Sequence, residues 1–299
     1  MQDRIEAIVM GSFVADALAL GAHWVYNTHV IDKKFGRVDD YYDPLTSHHK
    51  GKKAGEQTHY GDQMMVLLES VAAVSGFDLA DFAGRWRRLF ASYTGYVDRA
   101  TQDTLQNLAD GKDINSCGSA SDELAGASRI APLFLYYAQD IEALVGAAKA
   151  QTAFTHSPVD VIAAAELFAR TTAAVLTGRD PLQAVETVVE RHFKDSSIEM
   201  LVRSGLDSRE TDTRRAIADF GQACSVEAAL PGAMHLIARY ANDFQAAIVE
   251  NIMAGGDSSA RGMLVAMVLG AYQGLSAIPA HWLKGLAARP RVEGMMGST

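Results

Sequence analysis

Apolar residues recur at three- and four-residue spacing along nearly the whole of this chain, a periodicity that suits helices and little else. The segments 62–75, 79–96, 141–153, 159–177, 181–193, 210–221, 226–240, 244–253 and 258–275 all carry it. Ala, Leu, Met, Glu and Gln dominate them, and all are good helix formers. No run alternates in the Val-, Ile- and Thr-rich manner of a strand, and no fixed-period repeat or heptad array is visible. Ser157-Pro158 and Asp180-Pro181 each put a capping residue before a proline suited to a helix's first turn. Two polar stretches, 25–54 and 112–126, read as long loops, which in a compact helical domain are usually functional or disordered. Neither has the composition of a linker. The prediction is a single all-α domain spanning 1–299.

The charge balance limits the partners. A formal net charge of −9 argues against non-specific nucleic-acid binding but leaves room for an anionic small ligand in a local pocket. Cys117 and Cys224 are the only cysteines and make neither a disulfide framework nor a zinc motif. The N-terminal apolar run is interrupted by Asp16 and His23 and has no basic n-region, so it reads as a buried helix. No stretch of about 18 uncharged apolar residues suggests a membrane span. A cytoplasmic protein is the expectation, monomeric or weakly homo-oligomeric.

Five short segments carry the candidate chemistry. In Asn251-Ile-Met-Ala-Gly255-Gly256-Asp257-Ser258-Ser259-Ala-Arg261-Gly262, two glycines allow a tight turn and close approach to a ligand. Asp257 then opens an apolar helix, where a carboxylate either caps the helix or holds a cation or water. Asp16 is the only charged residue between Val9 and Ala22, and His23 lies seven residues on, two helical turns away on about the same face. Glu56-Gln-Thr58-His59-Tyr60-Gly61-Asp62-Gln63 opens another apolar helix, with Asp62 as a first-turn acid or a ligand. Ser119 to Leu133 is rich in small residues around Arg129, and Thr155-His156 closes one helix just ahead of the next.

Together, and in this order, these segments resemble the ADP-ribosylglycohydrolase family, which includes ADP-ribosyl-arginine and ADP-ribosyl-serine hydrolases, the dinitrogenase-reductase activating glycohydrolase and the J1 crystallins. The resemblance runs end to end and includes Ile278-Pro279-x-x-Trp282-x-x-x-Leu286. It implies an all-α, orthogonal multi-helix domain with a cleft for ADP-ribose. In typical members two magnesium or manganese ions there polarise the ribose hydroxyls and activate water to cleave the glycosidic bond at C1″.

The motifs are only partly kept. The family's Gly-Asp-Ala-Leu-Gly stands as Ala15-Asp16-Ala17-Leu18-Ala19, and His23 occupies a position where many members carry a glutamate. The Thr-Asp-Asp-Thr metal motif falls near Tyr60-Gly61-Asp62-Gln63, keeping Asp62; a register one residue earlier would put Asp62 on the second threonine. Gly-Gly-Asp-Thr-Asp-Thr falls on Gly255 to Ala260, keeping Asp257 but replacing the second acid by Ser259. Ser-Asn-Gly has become Glu123-Leu124-Ala125, with Arg129 retained.

The resemblance therefore implies catalysis by Asp62, Asp257 and His23. It assigns substrate contacts to Asp16, His59, Tyr60, Ser121, Gly126, Arg129, His156, Gly255, Gly256 and Ser258. Asp62, Asp257 and Ser259 would hold at most one Mg2+ or Mn2+, since magnesium prefers six oxygens and two ions need several bridging carboxylates. His23 is a softer donor, suited to manganese, zinc or nickel, or to service as a metal-free base. Two functions follow: a diverged hydrolase acting on a small-molecule or protein-linked ADP-ribosyl group, or an inactive ADP-ribose binder or structural, J1-crystallin-like protein. His48-His49 beside Lys50, Lys52 and Lys53 reads as a solvated basic loop, and 289–299 as a frayed tail.

Overall fold

A computed structural model describes residues 1–297. The helices are α1 (Gln2–Ala19), α2 (Thr28–Phe35), α3 (His59–Val74), α4 (Leu79–Ala91), α5 (Arg99–Ala109) and α6 (Ala125–Ser128). Then come α7 (Phe134–Tyr137), α8 (Ile141–Thr155), α9 (Val159–Leu176), α10 (Pro181–His192), α11 (Ser197–Asp207) and α12 (Thr213–Phe220). The chain closes with α13 (Val226–Arg239), α14 (Phe244–Met253), α15 (Ser258–Gln273), α16 (Ala280–Gly285) and α17 (Arg289–Met296). Among the described residues there is no strand, only isolated bridges pairing Ser119 with His156 and Glu123 with Ser225.

At the centre, α1 lies against α15. Both are apolar on every side, as a helix enclosed by others must be: α1 is buried from Ala7 through Ala19 and α15 from Ser258 through Ala271. Small residues set their spacing, for a Cβ on Gly270 would stand 2.6 Å from the carbonyl oxygen of Ala7. Around α15 pack α14, α13, α9 and α6, while α3 packs on α4 and α17. The apolar core is one contiguous cluster running from Ile5 to Met296.

Several boundaries differ from the sequence expectation for local reasons. The first helix stops at Ala19, and 20–24 form turns ending at Trp24, a non-glycine residue at φ 61°. His23 thus leaves α1 by a turn and not along a shared helical face with Asp16. The supposed loop 25–54 contains α2 and a 3-10 turn, Ser47–His49. The run 79–96 ends at Ala91, and α5 and α11 were not anticipated. The described part of the supposed tail is helical, held by buried Val292; residues 298–299 lie outside the described range. No described helix is long and apolar enough to cross a membrane.

Candidate functional site

The Gly-Gly-Asp turn organises the site. Gly255 and Gly256 adopt φ 73° and 71°, a left-handed conformation that side-chain-bearing residues rarely adopt. A Cβ at Gly256 would lie 2.2 Å from the Gln222 carbonyl oxygen, and one at Gly255 2.6 Å from that of Val25. The close approach expected toward a ligand is therefore made to protein backbone. The Gly256 amide donates to Val25 O at 3.0 Å, and the Trp24 amide donates to Gly256 O at 2.9 Å. This pairing ties the turn after α1 to the start of α15 and brings His23 against Asp257.

Asp257 does two things. Its Oδ1 accepts from the Ala260 amide at 3.3 Å, the N-cap suggested by its position, and lies 3.6 Å from His23 Nδ1. Its Oδ2 is buried with no partner. Burial pushes the carboxyl up to about 6, only partly offset by the Arg261 charge. Burial, with the neighbouring His49 and His59, holds the His23 imidazole well below its ordinary value.

Two more imidazoles complete the group. His49 arrives on the 3-10 turn and His59 on the first turn of α3; the ligand atoms of His23, His49 and His59 all lie within 4.8 Å of one another, an arrangement that could hold a metal ion. His49 Nε2 is 3.1 Å from His59 Nδ1. His59 Nε2 stands 3.2 Å from Asp98 Oδ2, off the hydrogen-bond axis. The His48-His49 pair is thus not a solvated patch: His48 is exposed, but His49 is buried, its pKa lowered to about 3 first by that burial. His49 has no periodic or motif context, and the sequence signal that remained was two histidines inside an apparently irregular stretch. Tyr60, also buried, keeps an unpartnered hydroxyl and meets His23 edge-on at 5.6 Å between centroids. Trp24 stacks on His23 at 4.4 Å and, with Tyr96 and exposed His48, covers the cluster.

Glu123 borders this group from the loop before α6. Its Oε1 accepts from Cys224 Sγ at 3.3 Å, its Oε2 is buried without a partner, and burial followed by the charges of Asp98 and Asp257 raises it to about 7. Ser121 lies beside it, its hydroxyl accepting from the Glu123 amide at 3.3 Å. Exposed Tyr26 and half-buried Cys224 feel the charges of both Glu123 and Asp257.

Other expected site residues serve the framework. Asp16 accepts from the Thr58 amide (2.8 Å), the Thr58 hydroxyl (2.5 Å) and the Ser259 hydroxyl (2.5 Å), clasping α1 to the starts of α3 and α15. Its carboxylate is fully buried, and Ser259 donates its hydroxyl proton to it. Asp62 does not join Asp257. It is paired with Lys52 Nζ at 2.5 Å and Tyr93 Oη at 2.5 Å, on the wall of a separate cleft of about 640 Å³ that also bears Arg85, Arg88 and Arg291. Arg129 is buried, donating to Gln63 and, at 2.5 Å, to Thr155 Oγ1. His156 Nδ1 lies 2.9 Å from that same hydroxyl, and its ring fills the space above Gly126. Ser258 is buried with an unpartnered hydroxyl.

The single Mg2+ or Mn2+ ion expected on Asp62, Asp257 and Ser259 does not suit this arrangement. Magnesium takes oxygen ligands in near-octahedral geometry. Here Asp62 is paired with Lys52 away from Asp257, and the donors gathered beside Asp257 are imidazole nitrogens.

Comparison with known proteins agrees with the fold. A family model described as ADP-ribosylglycohydrolase matches residues 1–298. A protein of Archaeoglobus fulgidus described as uncharacterised is 26% identical over 98% of this chain and 94% of its own length. Crystallin J1A of Tripedalia cystophora is 24% identical over 94% of this chain and 91% of its own. A solved structure described as an ADP-ribosylglycohydrolase-related protein complex superposes with a TM-score of 0.74 at 23% identity, covering 99% of this chain and 96% of that one. With the family's pattern matched along its whole length and its helical fold reproduced, the chain belongs to the ADP-ribosylglycohydrolase family.

Proposed function

We propose that this protein is a diverged hydrolase that cleaves the glycosidic bond of an ADP-ribosyl-type substrate with Glu123 and Asp257 as its acid and base. The observation that carries this reading is a pair of carboxyl groups near enough for the Asp257 charge to act on Glu123, each with an oxygen buried and unpartnered (Asp257 Oδ2 and Glu123 Oε2). An orphaned buried acceptor costs roughly 1–3 kcal/mol, a cost that a reacting water or leaving group would relieve. Both groups are also raised toward neutral pH, where proton transfer is most efficient. Glycoside hydrolysis commonly uses two such carboxyls.

In the proposed reaction Asp257 takes a proton from water as the water oxygen bonds to the anomeric carbon. Glu123 gives its proton to the departing nitrogen or oxygen as the glycosidic bond breaks. His23, beside Asp257 Oδ1, positions the base. The substrate class rests on family membership.

Incubation with ADP-ribosylated peptides, with released ADP-ribose measured chromatographically, tests the reading. Wild type should turn over, while Asp257→Asn and Glu123→Gln should each lose about 10²- to 10⁴-fold, the usual weight of a general acid or base. Normal turnover in both variants would sink it. The second reading is a non-catalytic ADP-ribose binder or structural protein, favoured by Trp24 and its neighbours packing over the cluster and by the similarity to crystallin J1A. It predicts ADP-ribose binding or none, with no release by wild type.

A further inference from the structure

We propose that His23, His49 and His59 form a site for one divalent transition-metal ion of the zinc class. The three histidines come from three separate elements: the turn after α1, the 3-10 turn and the start of α3. Nothing in local structure requires them to meet, yet their ligand atoms fall within 4.8 Å of one another, in the interior. The 3.1 Å between His49 Nε2 and His59 Nδ1 is near the edge of a tetrahedron built on zinc–nitrogen bonds of about 2.0–2.1 Å, which is about 3.3 Å.

The bland explanation is a hydrogen bond between two imidazoles in an aromatic core. It accounts for one nitrogen on each of two rings. It leaves His49 Nδ1 and both nitrogens of His23 buried without hydrogen-bond partners. Buried polar atoms are nearly always satisfied, and an ion held by the three rings would engage the His23 Nε2 that the hydrogen bond leaves without a partner. The surroundings suit a metal. Ligating histidines typically offer their second nitrogen to a carboxylate; His59 Nε2 has Asp98 at 3.2 Å and His23 Nδ1 has Asp257 at 3.6 Å. That leaves His59 Nδ1 and His23 Nε2 for the ion, with His49 as the third donor and water in an open position. Imidazole donors select zinc, cobalt or nickel over magnesium. The rings of Trp24, Tyr96 and exposed His48 form the wall an ion must pass.

The site does not depend on the hydrolytic reading, and the test reads binding alone. Protein dialysed against chelator is titrated with Co2+ and followed by visible absorption, then with Zn2+ as competitor, with millimolar Mg2+ present throughout. The expected result is one equivalent of Co2+, a visible band of low-coordinate cobalt, full displacement by Zn2+ and none by Mg2+. His49→Ala should weaken Co2+ binding at least about 100-fold, Asp98→Asn about 10-fold as a carboxylate supporting a ligand, and His48→Ala not at all. Circular dichroism of the metal-free variants separates lost ligation from lost folding, and Asp98→Asn keeps every ligand in place. Failure to saturate at one equivalent, or equal affinity in wild type and both His49→Ala and Asp98→Asn, would overturn the proposal. Binding without ADP-ribose release would retain the metal site and discard the proposed reaction; release without binding would do the reverse.

Discussion

At the scale of single residues, the chain's surviving family acids separate into different roles. Asp16 holds the fold together, Asp62 is neutralised by Lys52, and Asp257 alone keeps a free buried oxygen. Removing the Asp16 carboxylate would leave the buried Thr58 amide without its acceptor and take from the buried Thr58 and Ser259 hydroxyls their shortest hydrogen bonds. Asp16→Ala should therefore destabilise the protein by about 3 kcal/mol or more in urea unfolding, while Asp62→Ala, which removes an ion pair still in contact with solvent at one-fifth exposure, should cost clearly less, about 1 kcal/mol. Comparable losses from the two would contradict this division. Sequence reasoning singled out Asp16 because an isolated acid in an apolar run must be paired, yet it could not name the partners, Thr58 and Ser259, which lie 42 and 243 positions away. It placed His49 in a solvated basic loop because burial of a loop residue is decided by tertiary packing, which periodicity does not encode.

Among the elements, helices with strong end signals were legible. The boundaries 244–253 agree with the sequence expectation, and α9 and α10 begin at Val159 and Pro181, as the proline-marked caps indicated. Among the helices missed, α2, α5 and α11 have polar residues that dilute the apolar spacing. The junction between α1 and α15 was also illegible, because it depends on backbone hydrogen bonds between residues far apart in sequence. That junction is where the double glycine matters. Gly256→Ala imposes a left-handed backbone on alanine and drives its Cβ toward the Gln222 carbonyl, at a cost of about 1–3 kcal/mol or more. A thermal melt should show the loss, and the variant should also perturb Trp24 fluorescence, since the Trp24 amide is bonded to Gly256. An unchanged melting temperature would mean that the turn tolerates a side chain and does not fix His23.

For the molecule as a whole, the end-to-end family match and the helical architecture agree, and both were accessible from five ordered short motifs. The chemistry was less accessible, because this chain keeps the family's scaffold while three imidazoles gather near Asp257 and burial raises both Asp257 and Glu123. The central claim is that Glu123, whose pKa is raised from an ordinary 4.5 to about 7, acts as the acid. Because its folded-state pKa is raised, the protonated, active form prevails below about pH 7 and is lost as pH rises through that value. The most direct test is the pH dependence of kcat/KM for ADP-ribose release, in wild type and Glu123→Gln. The account predicts a descending limb near pH 7 in wild type, and residual activity in the variant that lacks this limb. A limb of the same midpoint persisting in Glu123→Gln, or no release by wild type at any pH, would contradict it.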